Sequence, residues 1–340
     1  MDSLSADELV QAAEASQAAS RRQEPDAERP VEERYPLMVE ALGWYLDRGD
    51  LDDAFRLASA LVSFWMATNR LEHGDEWYAR LLAVPRIPDE TTARALYAHG
   101  YLVFWAGNYD LAAARFTESR NVAIGLGDAS LQALALAGLA RVALTTDVDE
   151  AVRLLREALE VTAGLSDDDR GRSNALHVLG PALQMSGDLL GARDVVEHQL
   201  AAAYAAEDAQ QVCVESSNLS MIERQLGNLN RAEELSRQAV GSEFARSREL
   251  YLAWSLNGLA AVAAAKHQLV RAATIIGIAS STMERAGGEW PPDEREQYDE
   301  TAAIAEKGLT TEQFNLARDV GASMSIDEAL SFALTRNSPG

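Results

Sequence analysis

Lysine is almost missing from this chain of 340 residues, where Lys266 and Lys307 are the only two. The other cations are arginines, and 53 acidic residues against 30 Lys plus Arg leave a net charge of −23. Such a charge repels phosphates and argues against direct, non-specific binding of nucleic acid. Cysteine is limited to Cys213, which excludes an intramolecular disulfide framework and fits a reducing, cytoplasmic setting. No apolar run approaches the ~20 residues that span a bilayer. The opening stretch MDSLSADELVQAAEA is acidic where a secretory signal is basic, so secretion is not expected.

Chemistry-bearing signatures are also scarce. There is no G-x-x-x-x-G-K-[S/T] loop, no G-x-S-x-G elbow, no dinucleotide fingerprint and no H-E-x-x-H pair. The five histidines, His73, His99, His177, His198 and His267, show no metal-ligand spacing and read as surface or interhelix residues. Cys213 lies in AQQVCVESS with no base nearby in sequence, and reads as a small packing residue. The acids Asp167, Asp168 and Asp169 precede a helix and suit its positive N-terminus better than a metal. No cofactor, no metal and no enzymatic activity are expected.

What is present is Ala and Leu in abundance, which favours helices, and one bend repeated. WAGNYDLAAARF (105–116), MSGDLLGARDVV (185–196) and QLGNLNRAEELS (225–236) share one form. The residue opening each corner is Gly49, Asn69, Gly107, Thr146, Gly187, Gly227 or His267, and from Asn69 the spacings are 38, 39, 41, 40 and 40 residues. A fixed period of this size marks a solenoid. The corner residue takes a positive φ and the Asp or Asn after it caps the next helix. Five residues on stands a small residue (Ala54, Gly74, Ala112, Ala151, Ala192, Ala232, Ala272), which lets paired helices lie close. Seven residues before the corner another small residue recurs at Gly100, Gly180, Ser220 and Ala260. At Thr146 that position is Leu139, with Gly138 beside it, so this repeat is degenerate. No alternating β pattern of useful length occurs. The expected fold is all-α, a right-handed superhelical solenoid of antiparallel helix pairs with repeats of ~40 residues. Residues 1–34 read as a solvated tail with a short helix capped by Ser5 and Glu8, 35–286 as the repeat array, 287–335 as a helical cap and 336–340 as a disordered tail.

The corner GNYDLAAARF and its distance from Gly100 resemble the tetratricopeptide repeat. Phe116 fits that repeat's aromatic position, Leu155, Val196 and Ile276 are aliphatic substitutes, and Ser236 departs from it. The closing proline is missing throughout, in keeping with a longer period and longer second helices. LGWYLDRGDLDDAFRLASALVSFWMATNRLEHGDEWYARLLA resembles the opening of the tetratricopeptide-like (MalT/LuxR-type) sensor region of bacterial STAND ATPase regulators. PPDER, F-x-x-A-R-x-x-G at Phe314 to Gly321 and S-I-D-E-A at Ser325 to Ala329 resemble the close of that region, so the likeness spans roughly residues 36–335. The nucleotide-binding loop of those regulators is missing, and TRNSPG after Leu334 is far too short for a helix-turn-helix output domain. The resemblance therefore implies the sensor portion alone, either standing by itself or acting in trans.

In tetratricopeptide arrays the first helix of each pair lines an inner groove, at thirteen, ten, six and three residues before the corner. By that resemblance the groove takes Arg94, Tyr97, Tyr101 and Phe104, a small strip of Ala133, Leu136, Ala140 and Ala143, then Asn174, His177 and Gln184. Ser217, Met221 and Arg224, then Trp254 and Asn257, continue it. Aromatic anchors beside hydrogen-bonding side chains suit recognition, although aromatics at helical spacing equally suit a core. The resulting expectation is a non-enzymatic interaction module of bacterial signalling or transcriptional regulation that binds a protein segment or peptide, favouring a basic one. A small-molecule sensor using the same groove is the alternative, and an enzyme the third reading.

Overall fold

The computed structural model describes residues 3–21, 29–286, 290 and 292–335, and every helix or strand assigned among them is an α-helix. The chain divides into two compact units, residues 1–186 and 187–340. The first holds α1 (Ser3–Arg21), α2 (Arg29–Arg48), α3 (Leu51–Ala67), α4 (Leu71–Leu82), α5 (Glu90–Trp105), α6 (Tyr109–Leu126), α7 (Ala129–Ala143), α8 (Val148–Val161) and α9 (Arg170–Met185). The second holds α10 (Leu189–Ala205), α11 (Ala209–Gln225), α12 (Leu229–Gly241), α13 (Glu243–Ser247), α14 (Glu249–Ala265), α15 (Leu269–Arg285), α16 (Pro292–Gly308), α17 (Thr311–Ala322) and α18 (Ile326–Leu334). Among the described residues no helix is long and apolar enough to cross a membrane.

The corners behave as the sequence pattern requires. Gly49, Asn69, Gly107, Gly187, Gly227 and His267 all have positive φ; Thr146 does not. The side chains of Asn108, Asp147 and Asp188 cap the following helices. Asp50 and Asn228 do not cap, and the Asn228 Nδ2 donates to Glu223 instead, at 2.6 Å. A second set of bends was not foreseen. Gly127 and Glu207 also take positive φ, followed by the capping residues Asp128 and Asp208.

The small residues mark where paired helices cross. Ala54, Gly74, Ala112, Ala151, Ala192, Ala232 and Ala272 are all buried. A Cβ on Gly100 would lie 2.9 Å from the Phe116 ring, and one on Gly138 would lie 2.5 Å from it. Phe116 thus fills the gap left by two glycines, one on α5 and one on α7. In the degenerate repeat it is Gly138, not Leu139, that faces Phe116. Ser236 departs from the aromatic position because its partner has changed too. Ser220 Oγ lies 2.6 Å from Ser236 Oγ and donates to the Ala232 carbonyl at 2.8 Å, so a hydrogen-bonded pair replaces glycine and ring.

Two expectations about the chain's layout are corrected. The first residues are not a solvated tail: Ala6, Leu9, Val10 and Ala13 of α1 join the core formed with α2 and α3. Tyr45 donates to Asp7 at 2.9 Å and Arg56 pairs with Glu14 at 3.0 Å, which hold α1 in place. Apolar residues at helical spacing supply the drive, which the flanking charge had obscured. Residues 22–28 lie outside the described residues. Nor does the longer period come uniformly from longer second helices. The extra residues form a turn after α8, and the one-turn helix α13 after α12, whose Ser242 caps it.

The final helices explain the terminal motifs. The face of Phe314, Ala317 and Gly321 on α17 is buried, and a Cβ on Gly321 would lie 1.9 Å from the Thr274 carbonyl of α15. Only glycine permits that approach. Ser325 and Glu328 form a reciprocal capping box at the start of α18. Arg271 then donates to the Phe332 and Ala333 carbonyls at the helix end, at 3.2 and 2.7 Å.

Overpacking at Gly138 is the sharpest test of this scheme. Gly138→Ala is expected to destabilise the first unit by about 1–3 kcal/mol, because the new methyl meets an aromatic ring that cannot yield. In a Phe116→Ala background the same change should cost far less. A double-mutant cycle by hydrogen exchange on α5–α7 measures the difference, and additive costs would contradict the assigned contact.

Candidate functional site

In the first unit α7 packs against both α5 and α9, and the expected groove residues of α5 and α9 share the face of these three helices. Tyr97, Tyr101 and Phe104 are half-buried, resting on the cluster of Val103, Ala112 and Phe116. Their rings continue into a ladder. Tyr97 stacks on Tyr101 at 6.3 Å, Tyr101 meets Trp105 edge-on at 6.2 Å, and Phe104 contacts both Trp105 and Tyr109. Trp105 is 44% exposed and Tyr109 38%. Burial pushes the Tyr97 phenol up, while the Arg141 and Arg170 guanidiniums pull the other way. On α9, Asn174, His177 and Gln184 are half-buried. Arg94 is exposed and paired with Glu90 of its own helix at 2.8 Å.

The middle helix departs from expectation. Ala133, Leu136 and Ala140 are fully buried, so these three serve packing rather than groove lining, whereas Ala143 is half-buried. Counting back from Thr146 placed α7 one residue out of register, because that corner lacks the positive φ of the others. In the corrected register Leu139 and Val142 take the inner positions, half-buried on the same cluster as Tyr101 and Phe104, and Arg141 stands beside them. Its guanidinium carbon lies 5.9 Å from the Tyr101 ring centre, and its Nη2 donates to Asn174 Oδ1 at 3.4 Å. One side chain therefore touches α5 and α9 from α7. With Gly138 aligned to Gly100 and Gly180, Arg141 occupies the place of Val103 and Leu183, both buried. An arginine at an apolar register position was the available signal. Trp105 and Tyr109 were missed because they belong to the corner.

The second unit presents a different picture. Ser217, Met221, Arg224 and Trp254 are half-buried, but Asn257 is 0% exposed. Its Nδ2 donates to the Glu294 carbonyl at 2.9 Å and to Glu294 Oε2 at 2.7 Å, so α16 lies over this part of α14. Ser217 Oγ donates to the Cys213 carbonyl of its own helix at 3.1 Å. Burial holds the Arg224 guanidinium below its usual range, and Glu300 of α16 partly offsets this. Trp254 packs edge-on against Tyr251 at 5.0 Å. Asn257 thus serves interhelix packing rather than an open groove.

Other chemistry-bearing residues serve the fold. Cys213 is buried, with its thiol pushed up by burial. Asp169 caps α9 by accepting from the Gly171 and Arg172 amides. His99 is fully buried, stacks on Tyr78, and lies with Nε2 2.7 Å from Asp75 Oδ1. Burial holds its imidazole below the usual histidine range, and Nδ1 has no partner to receive a second proton. Among the described residues no three His, Cys, Asp or Glu side chains gather as a metal site.

No family model and no curated protein matches the chain. Solved structures do. A Rap protein complexed with competence and sporulation factor superposes with a TM-score of 0.58 at 16% identity, over 97% of this chain and 98% of that one. The apo form of the quorum sensor NprR from B. thuringiensis gives 0.55 at 15% identity, over 92% and 83%. The Rap conjugation gene regulator of plasmid pLS20, in complex with the Phr* peptide, gives 0.53 at 14%, over 76% and 75%. These are TPR-like helical-repeat proteins, and the chain shares their all-α fold.

Two outcomes follow from these contacts. Asn257→Ala removes both bonds to Glu294 and should cost about 1–3 kcal/mol, with faster amide exchange in α16; unchanged exchange there would contradict the assigned role. The depressed His99 titration means that the unfolded chain binds more protons below ~6.5, so stability falls as pH drops through that window. Urea titrations at several pH values should show wild type losing stability relative to His99→Gln on acidification, and parallel curves would refute the assignment.

Proposed function

We propose that the chain is a non-enzymatic helical-repeat interaction module that holds a peptide or protein segment on the face of α5, α7 and α9. The observation that carries this reading is the aromatic ladder from Tyr97 to Tyr109, backed by the core on one side and exposed on the other. Half-supported aromatics lose little side-chain entropy on contact and offer large apolar area, as anchors of interfaces do. Asn174, His177 and Gln184 on α9 supply adjacent polar groups for a backbone. Two structures of the same fold, the Rap protein with competence and sporulation factor and the pLS20 regulator with the Phr* peptide, are themselves complexes. The resemblance of residues 36–335 to the sensor regions of STAND regulators supports reading it as a module of bacterial signalling.

A peptide array probed with the whole protein tests the proposal. Binding to a subset of peptides is expected, weakened at least tenfold by Tyr101→Ala with Trp105→Ala, and unaffected by the exposed, distant Arg153→Ala. Peptide binding that survives the double variant would remove the face from the proposal. Thermal stabilisation by metabolites without any peptide binding would favour the small-molecule reading.

A further inference from the structure

The chain has 53 acidic residues for 30 Lys plus Arg, and most of the described arginines of the first unit's repeats pair with a carboxylate. Elsewhere in the first unit Arg94, Arg115, Arg120, Arg153 and Arg172 each pair with one. Arg141 does not: among the described residues its polar contact is the long bond to Asn174, and its Nε is enclosed without an acceptor. The contact with Tyr101 is at the outer limit for a cation over a ring and satisfies none of the N–H groups. Its half-buried setting makes the missing partner consequential, because charge pairs strengthen where water is partly excluded.

Position adds a second argument. Arg141 stands between the aromatic ladder of α5 and the amide of Asn174 on α9, at the centre of the face described above. Arginine offers paired N–H groups that match the two oxygens of a carboxylate, and the Asn174 amide lies beside them. We propose that Arg141 and Asn174 form a carboxylate subsite, so that the segment bound on this face carries a carboxylate next to an apolar or aromatic residue seated on Tyr97, Tyr101 and Trp105. This inference rests on the reading of that face as a peptide site. The carboxylate is either the segment's C-terminus or an Asp or Glu side chain. A run of acids does not suit the site, because the net charge of −23 repels it at long range.

The test uses the full chain and N-terminally biotinylated pentapeptide pools rich in Leu, Phe and Tyr. Four pools carry one Glu or one Gln, each with a free or an amidated C-terminus. Wild type should bind at least one carboxylate-bearing pool ten times more tightly than the Gln, amidated pool, and the two intermediate pools identify which carboxylate is read. Arg141→Gln should abolish that preference and Arg141→Lys should retain part of it, with melting temperature and circular dichroism confirming folded variants. Should Arg141→Gln fail to fold, Asn174→Ala carries the test, with a several-fold loss confined to the preferred pool. Equal binding of all four pools, or a preference that survives Arg141→Gln, overturns the subsite and leaves the peptide face standing. Binding of none of the pools overturns both.

Discussion

Everything in this architecture hangs on the gap between paired helices at one register position. Seven residues before a corner and nine after it, two side chains share a single space. Glycine admits a phenylalanine ring there, as with Gly100 and Phe116, and serine admits a serine, as with Ser220 and Ser236. The register of the contact is kept while its chemistry changes from ring packing to a hydrogen bond. Placement of the inner side chains follows from it. Tyr97 and Phe104 stand three residues before and four after Gly100, on the same helical stripe. Their rings therefore lean on the Phe116 cluster and still reach solvent. Packing and exposure are not alternatives at these positions, since one side of each ring rests on the cluster and the other meets solvent.

The corners were legible because a positive φ is chemically expensive for most residues and leaves a mark in composition. Asn69 and His267 show how far that mark can fade before the pattern breaks, while Thr146 shows where it does break. There the register slipped by one residue and the inner positions of α7 were misassigned. The bends at Gly127 and Glu207 escaped notice for a related reason. Each stands 20 residues after a corner, at Gly107 and Gly187, but the turn after α8 and the helix α13 replace this bend in the other repeats, so two instances did not show as a period. Likewise the terminal motifs could be quoted from sequence but not explained. Gly321 proves to be a contact of α17 with the α15 backbone, and Ser325 with Glu328 a capping box.

Groove positions transferred by resemblance fared differently in the two units, and the reason is physical. A rule counting back from a corner reports which way a side chain points on its helix. It does not report what later folds over that surface. In the first unit the rule selects Tyr97, Tyr101 and Asn174, which stay partly exposed. In the second it selects Asn257, correctly placed on α14 and then covered when Glu294 of α16 takes its amide. Glu294 belongs to the PPDER motif, so a feature that marked the end of the array also masks part of its inner surface.

Net charge and local charge point in opposite directions on this face. A total of −23 describes the long-range field, which salt screens beyond about a Debye length of 8–10 Å. At contact distance the face of α5, α7 and α9 presents a guanidinium among tyrosines and amides. Composition alone therefore favours a basic partner, whereas geometry favours an isolated anion. The two are compatible if the field discourages acidic segments in general and Arg141 admits one carboxylate at one position. Selectivity of that kind needs both a repulsive background and a local exception, because specificity is a difference between affinities.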